Sequence, residues 1–330
     1  MGALSFFSYF FLGLGPGLAF FCTIIAPKSF LVLLSFFSCF LWLVMLLFIS
    51  AIFKGFEPFP ETTSSFAGIL LASVAMEEIL RYGLWWMHTK GVTMLEGIAR
   101  DAGHRFALVD RLYMALAWGF GHAACHSIFF FLSFLPLVAG DGTYYLKDCT
   151  QMSMFLIGAL YSLAFGMILT SSMVVAFEGY AHLKWGPGFA SVATRPVEPA
   201  WRTWFHVLFA PVLHVTAALV TLLNMAQDGC LIAQPVNLAL GLASTGYAAH
   251  LAWTRGAADS KRQATARLAR DSSEPLNTLV TDDNTFPDAF PPGHAPPGPA
   301  STLHVASSIA SASSVTLVSR RGTAAPTTSM

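Results

Sequence analysis

The chain is 330 residues long, 55% apolar and only 11% charged, with 29 phenylalanines and a formal net charge of zero. Its mean hydropathy is +0.60. This balance excludes an ordinary soluble domain, offers no basic excess with which to hold nucleic acid, and makes the lipid bilayer the expected solvent.

Seven apolar runs reach the roughly 17 to 25 residues that a helix needs to cross a bilayer. They lie at 3–26, 29–53, 65–87, 112–139, 151–177, 203–224 and 229–253. Period-two alternation is missing, so helices rather than barrel strands are expected. The first run begins two residues after Met1 with no basic leader and no compact cleavage site, which favours a retained span over a removed signal peptide.

The third run carries Glu77, Glu78 and Arg81. Each ionisable group inside a span costs about 2.5 to 3.5 kcal/mol, so each needs a partner. Arg81 stands four residues after Glu77 and three after Glu78, a spacing from which it can neutralise either carboxylate along its own helix. A self-paired cluster is expected, with Arg81 reaching toward the inner interface; the carboxylate left over keeps open a contact with a neighbouring helix or subunit, or a catalytic role.

In the fourth run Gly119, Ala123 and Ser127 recur every four residues and form a small-residue stripe that another helix can approach closely. His122 and His126 flank it. The sixth run carries His206, expected to be solvated near the inner interface, then Pro211 and the deeper His214, and ends at Asn224. Histidines 122, 126 and 214 invite a metal or haem reading, but no loop supplies the cysteine or carboxylate cluster that would close such a site. No metal and no cofactor are assigned, and the histidines are read as interhelical hydrogen-bonding groups.

With the amino terminus outside, inner loops and the start of the tail hold thirteen lysines and arginines, and outer loops hold two, Lys54 and Lys147. The fold expected is therefore all-α: a polytopic membrane protein of seven transmembrane helices, amino terminus lumenal or extracellular, carboxyl terminus cytosolic. Residues 1–254 form the membrane domain. Residues 255–330, with Pro-Pro-Gly-His-Ala-Pro-Pro-Gly-Pro at 291–299, read as a disordered cytosolic tail. Of five cysteines, Cys22, Cys39 and Cys125 read as packing residues. Cys149 and Cys230 fall at outer ends of spans, where a disulfide between them is possible.

Several stretches resemble one known family. Met-Gly-Ala at 1–3 with Phe-Leu-Gly-Leu-Gly-Pro-Gly-Leu-Ala-Phe-Phe at 11–21 resembles the first span of the anterior-pharynx-defective family, the scaffold subunit of the gamma-secretase complex. Met-Glu-Glu-Ile-Leu-Arg-Tyr at 76–82 is similar to its third span, Gly-Asp-Gly-Thr-Tyr-Tyr-Leu at 140–146 to its outer loop, and Val-Val-Ala-Phe-Glu at 174–178 to the end of its fifth. His214 followed by Asn224 is similar to its sixth. The resemblance runs in order along about 250 residues.

There are departures. The family's Gly-x-x-x-Gly-x-x-x-Gly stripe is here Gly119, Ala123 and Ser127, and a family histidine on the fifth span is replaced at Leu169 or Thr170. His122 or His126 is the expected substitute for its hydrogen bond. The resemblance implies a non-catalytic subunit that assembles an intramembrane aspartyl protease with a presenilin-like catalytic subunit, a nicastrin-like subunit and a small helical-hairpin subunit. It implies processing of single-span membrane proteins such as Notch-like receptors, in endoplasmic reticulum, Golgi and plasma membrane or endosomes. The residues agree: Asp110, Asp141, Asp148 and Asp228 all lie at or beyond span ends, whereas that chemistry needs two membrane aspartates.

The alternative is an intramembrane protease of the glutamate/histidine type that processes prenylated proteins. Glu77, Glu78, Arg81 and the later histidines are similar to its set. Its Glu-Glu-x-x-x-Arg spacing is one residue longer, and its Phe-x-x-x-His and His-x-x-x-Asn elements are missing, since Phe209 stands five residues before His214 and Asn224 ten after it.

Overall fold

The computed structural model describes residues 3–55, 63–102, 108–139, 145–146, 148–183 and 199–273. Among these, seven long helices follow one another: α1 (Ala3–Phe20), α2 (Ser29–Gly55), α3 (Thr63–Asp101), α4 (Leu108–Ser127), α5 (Met154–Ala181), α6 (Ala200–Thr221) and α7 (Cys230–Ser273). Single π turns extend α1 through Phe21–Ile25 and α4 through Ile128–Leu132, and a 3-10 turn, Leu222–Met225, closes α6. Two short antiparallel strands, β1 (Tyr145–Leu146) and β2 (Cys149–Ser153), lead into α5. Ser153 caps α5 by accepting a hydrogen bond from the Leu156 amide.

Five of the described helices are long and apolar enough to cross a membrane: Ala3–Ile25, Ser29–Lys54, Asp110–Val138, Met154–Ala181 and Ala200–Met225. The other two coincide with the expected third and seventh spans. Glu77, Glu78 and Arg81 dilute α3, and Gln234, Asn237 and a run of Ser, Thr and Gly dilute α7. Both helices outrun their expected limits. α3 continues to Asp101, through part of an expected loop, and α7 continues to Ser273, so the segment 255–273 is helical instead of part of a disordered tail. Residues 274–330 lie outside the described residues.

α5 occupies the centre. Sixteen of its 28 residues are buried, on every side of the helix, as befits a helix without a polar face. Around it stand α1, α4, α6 and α7. In lipid no hydrophobic force draws helices together, so close approach has to come from small residues. Each neighbour meets α5 through a glycine. A Cβ at Gly13 of α1 would lie 3.2 Å from Ala159 Cα, and one at Gly119 of α4 would lie 2.7 Å from the Thr170 carbonyl. Gly179 of α5 abuts the α6 backbone at Val207, with 2.7 Å to its amide, and Gly241 of α7 faces the Ala164 carbonyl at 3.0 Å. Outward positions of α1 and α2, such as Phe11, Leu33, Phe36 and Leu47, are exposed and apolar, the character of a surface facing lipid. The protein is an all-α membrane protein.

Candidate functional site

The polar residues of α3 point inward, toward α4, α5 and α6. Glu77 is 3% exposed, and Arg81 and His122 are fully buried. Adjacent residues on a helix point about 100° apart, so Glu77 and Glu78 meet different neighbours. Glu77 turns to α4, where His122 and His126, one turn apart, present their imidazoles on one face. Both Nε2 atoms stand 3.2 Å from Glu77 Oε2. Glu78 turns toward its own helix and α6. Arg81 Nη2 is 3.2 Å from Glu78 Oε1, and His214 Nδ1 is 3.1 Å from the same oxygen. The other ring nitrogen of His214, Nε2, lies 3.7 Å from Glu77 Oε2.

Further contacts fix these groups. Arg81 Nη1 donates to Ser172 Oγ of α5 at 2.8 Å, and Ser172 Oγ donates to the Leu169 carbonyl at 3.2 Å. The indole of Trp42 on α2 lies flat on His122, ring centres 3.4 Å apart and planes 7° apart. Four helices thus supply the cluster's polar side chains and a fifth supplies its aromatic wall.

The geometry answers the sequence reading residue by residue. Arg81 takes Glu78 as its partner and does not reach an interface. The carboxylate left over is Glu77, and α4 serves it. Leu169 contributes its carbonyl to Ser172 and Thr170 contributes backbone against Gly119. His122 and His126 meet Glu77. His206 is 2% exposed, contrary to the expectation of solvation, because its Nε2 lies 2.7 Å from Tyr247 Oη of α7. Asn224 belongs to a separate contact, donating to Tyr161 Oη at 2.7 Å.

The stripe of Gly119, Ala123 and Ser127 is buried, and at Gly119 the surface that covers it is α5 of the same chain. A second small residue, Gly121, faces α2 on the other side, where a Cβ would strike the Ser35 carbonyl and Ser38. Ser38 Oγ donates to the Trp118 carbonyl at 2.7 Å, a sign of how near the two helices run. Sequence reasoning missed Gly121, Trp42 and Ser172. Only Gly121 left a trace, as a small residue offset by two from Gly119.

Cys149 and Cys230 form a disulfide, Cα atoms 6.1 Å apart, which ties β2 to the start of α7. Asp228, at φ 55°, donates its amide to the Asp148 carbonyl at 2.8 Å beside it. At the far end of α5, Glu178 receives Arg255 Nε at 2.9 Å, so the first residue of the expected tail is anchored.

Among the described residues, Glu77, His122 and His126 form a group with metal-ligand character, their donor atoms all within 4.8 Å of one another.

Comparison with known proteins gives two matches. A family model described as "Aph-1 protein" matches residues 4–255. A relative from Arabidopsis thaliana, described as "Gamma-secretase subunit APH1-like", is 34% identical over 260 residues, covering 78% of this chain and 96% of the relative. The matched stretch contains the whole Glu77–His214 cluster and all the helices that build it, and the chain belongs to the Aph-1 family.

Proposed function

We propose that the chain is a non-catalytic scaffold subunit of a gamma-secretase complex, in which it assembles an intramembrane aspartyl protease around a presenilin-like catalytic subunit. A nicastrin-like subunit and a small helical-hairpin subunit complete the assembly, and single-span proteins such as Notch-like receptors are its substrates. The chain crosses the membrane seven times, α3 and α7 included, with its amino terminus lumenal or extracellular and its carboxyl terminus in the cytosol. Residues 1–254 are the membrane domain and residues beyond 254 its cytosolic extension. Endoplasmic reticulum, Golgi, plasma membrane and endosomes are its compartments.

The observation that carries this reading is the family match along residues 4–255. The charge distribution supports it. Two aspartates at membrane depth are needed for aspartyl chemistry, whereas Asp110 and Asp228 stand at helix ends and Asp148 in the turn between β1 and β2. Two contacts count against the glutamate/histidine protease: Glu78 is committed to Arg81, and Asn224 to Tyr161.

Affinity purification in mild detergent with identification of the co-purifying chains tests the proposal. A presenilin-like chain in stoichiometric amount is expected, and a chain recovered without any such partner overturns the reading. In the assembled complex, Glu77→Gln combined with Glu78→Gln is expected to leave peptide hydrolysis present. Complete loss of hydrolysis in a fully assembled mutant complex, or cleavage of prenylated peptides by the isolated chain, points to the glutamate/histidine chemistry instead.

A further inference from the structure

We propose that Glu77, His122, His126 and His214 bind one divalent transition-metal ion, zinc by their chemistry and number, as a tie between α3, α4 and α6. The inference does not depend on the scaffold reading.

Three imidazole nitrogens converge on a single carboxylate oxygen. His122 Nε2 and His126 Nε2 are each 3.2 Å from Glu77 Oε2, and His214 Nε2 is 3.7 Å from it. A carboxylate oxygen has two lone pairs, so two imidazole N–H groups use them up and the third nitrogen is left without a bond to make. A metal ion accounts for all three at once. With Zn–N and Zn–O bonds of about 2.0–2.1 Å in a tetrahedron, neighbouring donor atoms sit about 3.3 Å apart. The three separations from Glu77 Oε2 fall within a few tenths of an ångström of that value. Among Glu77, His122 and His126 no pair of donor atoms exceeds 4.8 Å, so a movement on the order of 1 Å brings these three to bonding distance, and His214, outside that group, closes onto the ion by a longer shift.

The outer contacts of His214 and the spacing of the α4 histidines fit ligands as well, while His122 Nδ1 is buried without a hydrogen-bond partner. His122 and His126 stand one helical turn apart on one face, the arrangement by which a helix presents two histidines to one ion. Metal-bound histidines commonly donate their other ring nitrogen to a carboxylate, which fixes tautomer and orientation. His214 does so, with Nδ1 3.1 Å from Glu78 Oε1, and Glu78 is itself held by Arg81. That arrangement leaves the His214 Nε2 lone pair aimed at the Glu77 oxygen. Trp42, stacked on His122, fixes a second ligand plane. Because Arg81 is occupied by Glu78, Glu77 has no guanidinium of its own, and a cation at this point compensates its buried charge.

Four protein donors make a closed site, which is structural in character; a catalytic zinc keeps a position open. Imidazole with carboxylate suits zinc, copper, iron or nickel, and a tetrahedral set of four favours zinc.

The test uses the full chain purified in mild detergent and loaded with zinc chloride, then with cobalt(II) chloride in its place. Elemental analysis is expected to find about one zinc per chain, and cobalt to give the intense visible absorption of a tetrahedral ion. A His122→Ala, His126→Ala double variant is expected to lose both. Glu78→Gln, which keeps every ligand but removes the charge behind His214, is expected to weaken zinc binding roughly 10- to 100-fold. Wild-type chain that retains no zinc and shows no tetrahedral cobalt spectrum overturns the proposal, whatever the variants do. Zinc retained at wild-type stoichiometry by the double variant also overturns it, because the ion then sits elsewhere.

Discussion

Glu77 and Glu78 are neighbours in the chain with separate fates: Glu77 meets the imidazoles of α4, and Glu78 is paired with Arg81. Removing one partner of a buried ion pair costs about 3–5 kcal/mol because the other charge is stranded. Arg81→Met is therefore expected to destabilise the chain by about that amount, since the fully buried guanidinium serves both Glu78 and Ser172. Ser172→Ala removes one hydrogen bond to a charged group and is expected to cost less, about 1.5–3 kcal/mol. Thermal unfolding in detergent checks both, and an Arg81→Met chain that melts with the wild type would mean that the pair is solvated. That Arg81 pairs with a carboxylate of its own helix was legible in the sequence, because the spacing is local to one turn; that the partner is Glu78 was not. The Glu77–His122 contact was not, since it depends on how α3 is rotated about its axis, which packing on other helices sets.

Among the elements, α5 is decisive. Four helices meet it through glycines, and at Gly119 even one added carbon would lie 2.7 Å from the Thr170 carbonyl and 2.9 Å from Met173 Cβ. Gly119→Leu is expected to push α4 from α5 and destabilise the chain by at least about 1–3 kcal/mol, before any partner is present. Gly166, with nothing within 4 Å of its added carbon, supplies the contrast. Gly166→Ala is expected to be neutral or to stabilise by about 0.5–1 kcal/mol, because alanine suits a helix interior better. Melting of each variant expressed alone measures this. If Gly119→Leu melts with the wild type and only recovery of the complex falls, the stripe faces another subunit. The four-residue spacing of Gly119, Ala123 and Ser127 marked a helix-packing face; which helix fills it is a matter of tertiary arrangement.

At the scale of the whole molecule, the disulfide closes a segment of 81 residues that includes α5 and α6. Loss of a native disulfide costs about 2–5 kcal/mol. Cys149→Ala is expected to lower the melting temperature accordingly, and non-reducing mass mapping of the wild type is expected to recover the linked Cys149–Cys230 peptide. Recovery of both as free thiols would remove the link. The two helices that are least apolar, α3 and α7, are held by polar contacts with the rest: α3 through Glu77, Glu78 and Arg81, α7 through Tyr247 to His206 and Arg255 to Glu178. The ionisable groups of α3 are affordable in an apolar setting because the protein itself pairs them.

The sequence by itself determined the membrane class, the order of the long helices, and the family resemblance at its quoted motifs. Hydropathy, helical period and short motifs are local properties, readable within one turn or one span. Only the tertiary structure decided which carboxylate meets which imidazole. Those contacts join residues 45, 49 and 136 positions apart, and they follow from the rotation and depth of helices packed on α5.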